Sequence, residues 1–461
     1  MRTVLQTGTR PPTLPRDGTL GLSDAFALAN VGSETIAIEG EAYIRSVVQK
    51  RRAVSAFLPA VDLNPSYGVR NGGSATGGNG SSSGGSNSSG KYDANLDIPI
   101  DLDLVVFDGM QNVNSYWRDV YLVERQRQLL LEAQEQLLSD VAQTYYAVLR
   151  SEAQVRVLEN SLKVQEERLR TTRGQQQAGT GRPLDVAQTQ AQVSATRVQL
   201  IEAQRAVQDG RSLLEYLLNA PVRDAKLTDG LSVASEKDLA IALKVASTHR
   251  SELAASERAV AAAQRDVKVA LGEYYPSVSI GLSAWLYRET APDSRTWEGL
   301  LNVSLPIFSG GRIEADVRTA WSFLREAILV DAQTRRHIHR EIEQSQKDIN
   351  ASEARLAELA VQLSAARDAY KQADASYAAG LGTNLERVVA QDAQLQAELA
   401  FVTEQINLKL FRIALLRATG TLREELLDAK ATTRPASRPT PGSTRSESDS
   451  TTQPVSAVIR R

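Results

Sequence analysis

Residues Leu96 to Phe107 alternate strictly. Leu96, Ile98, Ile100, Leu102 and Leu104 share one parity, while Asp97, Pro99, Asp101 and Asp103 share the other. A pleated strand sends alternate side chains to opposite faces, so this stretch predicts a strand with one aliphatic face and one acidic face. Residues 60–70 repeat the pattern, with Val61, Leu63, Tyr67 and Val69 set against Asp62, Asn64, Ser66 and Arg70. Together they predict a long hairpin over 57–107, whose tip is the Gly/Ser/Asn run Gly72–Gly90. A soluble sandwich can carry such strands. So can a transmembrane barrel with lipid on one face and water on the other.

Elsewhere the period changes. Leu22 to Ser55 predicts a helix with Ser23 as N-cap, ending where Pro59 forces the preceding residue into extended geometry. From Val113 to Gln177 there is no proline. Val141, Val148, Val155, Leu162 and Leu169 recur every seventh residue, with Leu137 and Leu158 between them. A helix of that length spans about 100 Å at 1.5 Å per residue and is a coiled-coil element. Gly179-Thr180-Gly181 breaks it, and Pro183 suits the first turn of the next helix. That helix carries its own seam, Val186, Val193, Leu200, Val207 and Leu214, and stops near Pro221.

The second half repeats this order. A helix over Leu239–Glu273, Tyr274-Tyr275-Pro276, and an alternating hairpin over 275–308 precede a helix over Ile313–Ala379. Gly380-Leu381-Gly382 then matches the first break, and Thr383…Glu386 is a capping box for a last helix ending near Gly420. Phe107 to Phe308 and Gly179 to Gly380 are both 201 residues apart, and Pro59 to Pro276 is 217. The 16-residue difference is the extra length of the first hairpin tip. The expected organisation is an extended arm over 1–19, one unit over 20–221, a connector over 222–238, a second unit over 239–428, and a Ser/Thr/Pro tail over 429–461 too poor in apolar residues to bury a core. Two strands per unit give four per chain. Four strands with open edges cannot stand alone in lipid, so the barrel must be shared between chains, and a conduit favours three or more.

Composition narrows the function. The net charge of −2 argues against a general nucleic-acid binder, and the absence of cysteine removes disulfides and thiol chemistry. No apolar run is long enough for a transmembrane helix. The stretch after Met1 has no apolar signal core, so an outer-membrane protein would need a leader upstream of it. His249, His337 and His339 are the only histidines. The last two stand two residues apart on a helix and do not share a face, so no metal site is expected. No carboxylate pair stands out for acid–base catalysis, and no cofactor motif is present, so an enzyme is not expected.

The order Leu58-Pro59 and Tyr275-Pro276, Leu305-Pro306-Ile307-Phe308-Ser309-Gly310-Gly311, Gly179-Thr180-Gly181-Arg182-Pro183-Leu184-Asp185-Val186 and Tyr377-Ala378-Ala379-Gly380 resembles the TolC-like outer-membrane efflux proteins over about residues 20–428. The resemblance implies a mixed α and transmembrane β fold. That fold is a homotrimer whose twelve-stranded barrel, four strands per chain, continues into a periplasmic α-helical coiled-coil tunnel. It implies a Gram-negative outer-membrane exit duct of a tripartite efflux or type I secretion system, partnered by a periplasmic adaptor and an inner-membrane transporter. It makes the tips Gly179, Thr180, Gly181 and Gly380, Leu381, Gly382 the adaptor-docking end. Asp368 and Asp374, in the last turns before that end, are candidates for an acidic constriction. Asp97, Asp101 and Asp103 are candidates for the barrel lumen. The competing expectation is a periplasmic coiled-coil adaptor, which accounts for the helices but not for two matched hairpins.

Overall fold

The computed structural model describes residues 18–71, 92–229, 238–288 and 296–425. The arm before residue 18, the Gly/Ser tip, residues 230–237 of the connector and the tail after 425 lie outside them.

A short strand β1 (Thr19–Gly21) leads directly into α1 (Leu22–Gly32). The helix therefore starts one residue before Ser23, whose expected capping role falls to Gly21. The single helix expected over 22–55 is two, because the chain breaks at Ser33 before α2 (Glu34–Ser55). The Ser33 hydroxyl accepts from the Ile36 N–H at 3.4 Å and so starts a new helix there. The second half breaks in the corresponding place. α5 (Leu239–His249), capped by Asp238, is separated from α6 (Ser251–Gly272) by Arg250.

The hairpin strands form one antiparallel sheet. β2 (Ala60–Leu63) and β3 (Ser66–Asn71) lie end to end along β4 (Tyr92–Asp108), so the strand expected over 60–70 is interrupted at Asn64-Pro65. Proline has no N–H for the ladder. Asn64 instead turns its N–H to the Pro99 carbonyl at 3.2 Å. β4 pairs with β6 (Ser277–Arg288), and β6 with β7 (Trp297–Ser304). The sheet thus has four staves, and neither outer edge is paired among the described residues. β7 stops at Ser304, because Pro306 ends the ladder. Ile307 and Phe308, expected in the strand, stand beyond it at 93% and 89% exposure.

The register aligns the alternation across all four staves. Val61 opposes Leu102, Leu102 opposes Leu282, and Ile280 opposes Leu301, so one face is apolar across the four staves, with Gly299 opposite Leu282 and Trp297 opposite Ala284. Asp62, Asp101, Ser283 and Glu298 occupy the other face in the same way.

Two long helices leave this sheet. α3 (Gln111–Gln177) and α7 (Arg312–Ala378) each have 67 residues, and their returning partners α4 (Pro183–Leu218) and α8 (Asn384–Thr419) each have 36. α1 and α5 match at 11 residues and α2 and α6 at 22. The left-handed positions correspond too: Gly109 with Gly310, Met110 with Gly311, Gly179 with Gly380 and Asn219 with Gly420.

The heptad positions mostly face inward. Val141, Val148, Leu158, Leu169, Val193 and Leu214 are buried, while Val155, Leu162, Val186, Leu200 and Val207 are half-buried. α3 packs on α2 and α6 in its upper part and on α4 and α8 below. The main core lies where these meet, around Leu22, Phe26, Val141, Tyr145, Leu214, Leu218 and Ile413. Within the connector, strand β5 (Lys226–Thr228) pairs in parallel with β1, an element absent from the expected polar linker. The buried Tyr145 hydroxyl accepts from the Thr228 N–H at 2.9 Å. It lies 2.7 Å from the carbonyl oxygens of both Leu20 and Thr228, either of which can take its proton. That contact fixes the ribbon to α3.

Candidate functional site: helical tips and the polar sheet face

Each long helix ends in the same turn. Gly179 adopts φ +75° and Gly380 φ +74°. At the first tip the Gly179 N–H donates to the Gln176 carbonyl at 3.0 Å and the Thr180 N–H to the Gln175 carbonyl at 2.9 Å. At the second, the Gly380 N–H donates to Tyr377 at 3.0 Å and the Leu381 N–H to Ser376 at 2.9 Å. Both are Schellman motifs, which need a left-handed residue after the helix and satisfy its last carbonyls. The returning helices start by different means. Pro183 opens α4, whereas the Thr383 hydroxyl and the Glu386 carboxylate close a reciprocal capping box on α8. Gly179, Thr180, Gly380 and Leu381 are exposed, and Leu381 is 87% exposed; Gly181 and Gly382 are half-buried.

The two tips are tied side by side within one chain. The buried Asn384 amide donates to the Asp185 carbonyl at 3.2 Å and to Gln188 Oε1 at 3.1 Å. Arg387 donates to Asn384 Oδ1 at 2.7 Å, lies 4.0 Å from the Asp374 carboxylate and stacks 4.0 Å above the Tyr377 ring. Arg168, over the Tyr370 ring at 4.9 Å, meets Asp374 at 3.1 Å. Asp374 therefore joins α3 to α7, and the two charges bracketing it are arginines that the sequence reading did not single out. No local pattern links Arg168 to Asp374, which stand 206 residues apart and meet only because two equal helices run alongside each other. Asp368 is separate from this network. It is exposed, with Lys371 at 3.4 Å.

Asp97, Asp101 and Asp103 all lie on the polar face of β4, as the alternation predicts. Asp101 accepts from Ser283 Oγ at 2.6 Å and Asn64 Nδ2 at 2.9 Å. Asp97 stands opposite Arg288, and Asp103 opposite Gly281. The register adds Asp62 and Glu298 to the same face. Strand parity held that signal, but it needed the pairing partners to be known.

No helix among the described residues is long and apolar enough to cross a membrane, and no group of three or more His, Asp or Glu residues there could hold a metal ion.

The outer membrane efflux protein family matches residues 42–220 and 242–421, both helix–hairpin–helix segments. The chain belongs to the outer membrane efflux protein family. It is similar to the toluene efflux pump outer membrane protein TtgC of Pseudomonas putida, 25% identical over 342 residues that cover 72% of this chain and 69% of the relative. It is also similar to the cation efflux system protein CusC of Escherichia coli K12, 23% identical over 335 residues covering 69% and 72%. The outer membrane protein VceC of Vibrio cholerae shares its fold, with a TM-score of 0.77 at 19% identity over 87% of this chain and 96% of that one. The outer-membrane channel OprN gives 0.76 at 20% identity over 87% and 90%. The protein is thus an outer-membrane exit duct with a periplasmic helical extension, in a family of channel proteins rather than enzymes.

Proposed function

We propose that three copies of this efflux protein close one twelve-stranded barrel and one continuous helical tunnel, through which substrate leaves passively. The observation that carries this is the sheet: four antiparallel staves, one apolar face, and two edges without a partner among the described residues. Unpaired edges cannot face hydrocarbon. Two chains would give eight staves and an interior filled by side chains, whereas three give twelve and leave a passage. The pairwise equality of helix lengths supports reading the chain as two copies of one unit.

In this arrangement the apolar face meets lipid, and Asp62, Asp97, Asp101, Asp103 and Glu298 line the lumen. The tips around Gly179–Gly181 and Gly380–Gly382 form the periplasmic entrance and seat a periplasmic adaptor. An inner-membrane transporter supplies the energy, so the duct itself requires no cofactor. Asp368, repeated three times near the entrance, contributes an acidic constriction, and Asp374 holds the adjacent tips together through Arg168. The acidic lumen favours cations and neutral solutes over anions.

Two measurements test the reading. Unheated detergent extracts should migrate as a trimer that heating converts to monomer, and migration as a monomer throughout would sink it. In planar bilayers the channel should prefer cations, and Asn at positions 97, 101 and 103 together should weaken that preference. An anion preference unaltered by the triple change would remove the lumen assignment.

A further inference from the structure

Midway along the helices, the place where α3, α7, α8 and the α5–α6 break meet is charged and buried. The Arg250 side chain, 2% exposed, donates to the Arg417 carbonyl at 2.5 Å, to Glu252 at 3.2 Å and to Glu341 of α7 at 3.0 Å. Arg417 of α8 donates to Gln136, lies 3.9 Å from Glu132 and 3.8 Å from Glu341. On α3, Glu132 and Glu135 are three residues apart and share a face. Glu135 is 4% exposed, and one carboxylate oxygen on each has no hydrogen-bond partner.

The charges facing this pair come from every element around it. α3 supplies the pair itself, and Asp140 just beyond it, which accepts from Gln136 at 2.8 Å. The α5–α6 break supplies Arg250 and Glu252, α8 supplies Arg417, and Arg423 follows α8. α7 supplies Glu341, with His337 at 4.0 Å from it. Around the pair itself, Glu132, Glu135, Glu252 and Glu341 face Arg250, Arg417 and Arg423, an excess of one negative charge centred on the buried Glu135 and Arg250, and Asp140, which faces Arg417, adds to that excess. A buried uncompensated charge is costly, and a carboxyl proton both removes it and gives an unpartnered oxygen a donor.

We propose that this joint is an acid-tightened brace, in which one proton held by Glu132 and Glu135 clamps α3 against the α5–α6 break and the end of α8. Burial raises both carboxyls, and Glu135 is pushed up to about 7, with Glu132 beside it adding to the rise. The folded value thus lies above the unfolded value of 4.5. Stabilisation is complete below that unfolded value and fades as pH rises through the folded one. In acid the brace is closed. In mild alkali the pair carries two charges and the joint loosens, independently of what the duct conducts.

The test uses the full chain in detergent micelles between about pH 5.5 and 8, following thermal unfolding and amide hydrogen exchange. In the wild type, Tm should fall across this range. Exchange over residues 128–140, corrected for its intrinsic pH dependence, should rise about tenfold. Glu135→Gln mimics the protonated state and should flatten both profiles. The exposed control Glu343→Gln should leave them sloping. Flat wild-type profiles, or a wild-type slope retained in Glu135→Gln, would overturn the proposal. If Glu135→Gln does not assemble, Glu132→Gln is read by the same two profiles.

Discussion

The two halves of the chain share a backbone and differ in chemistry at the joint. At the first break Ser33, a neutral cap, starts α2, and Asn219 at the end of α4 donates to the Gly32 carbonyl at 3.1 Å and to Glu34 at 3.1 Å. At the second, 217 residues on, a buried arginine stands in the same position among carboxylates. Helix length and turn geometry are evidently compatible with either solution. A break in a helix needs its loose backbone groups satisfied, and a hydroxyl or a guanidinium can anchor it. What the second half adds is sensitivity to charge.

That contrast predicts a hierarchy of losses, each readable as a Tm shift of the detergent-solubilised protein. Arg250→Ala should be the most damaging, costing about 3–5 kcal/mol, because it removes the one buried cation beside the buried Glu135 and leaves the half-buried Glu132 and Glu341 to Arg417 alone. A loss below about 1 kcal/mol would mean that water already screens the joint. Next is Gly109→Ala, set against Gly310→Ala. Both glycines are left-handed, at φ +68° and +62°, so each substitution carries about 1 kcal/mol of strain. At Gly109 a Cβ would also come within 2.2 Å of the Gly272 carbonyl oxygen, whereas at Gly310 nothing lies within 4 Å. Overpacking should therefore add about 1–3 kcal/mol at position 109 alone. Equal Tm losses at the two positions would show that the first half can shift to make room. Smallest is Ser33→Ala, expected to cost about 1 kcal/mol through loss of the cap. If Ser33→Ala matched Arg250→Ala, the distinction between a neutral and a charged joint would fail.

Features with a regular period were readable along the chain. The heptad positions from Val141 to Leu169 and from Val193 to Leu214 turn inward because a fixed spacing places them on one helix face. The β4 aspartates turn to one side because pleating leaves no alternative. The capping box at Thr383 and Glu386 is a local exchange of hydrogen bonds and was equally visible. Features fixed by docking were hidden. Within residues 22–55 the mark of a break is the short Gly32-Ser33-Glu34 signal, which a continuous helix can also carry; Asn219, packed against Gly32 and Glu34, holds the break in place. β1 and β5 are three residues each, too short for a period, and exist because the Tyr145 hydroxyl and parallel pairing hold them. The tip network escaped for the same reason. Its position in the last turns of α7 makes Asp374 a candidate for an acidic constriction, but its pairing with Arg168 and Arg387 is set by the fold, which alone brings them beside it.

The matched helix lengths restrict how this molecule can change size. α3 and α7 leave the same sheet and finish with their tips bonded to one another, through Asn384 to Asp185 and Gln188. One extra turn in α7 alone would push its tip about 5.4 Å past its neighbour and pull that bond apart. It would also leave α8 too short to reach the middle of α7, where Arg417 meets Glu341. Reach is therefore a shared property of four helices rather than of any one. A longer or shorter duct is accessible only when α3, α4, α7 and α8 all gain or lose the same turn together, and a single insertion or deletion within them registers as a mismatch at the rim.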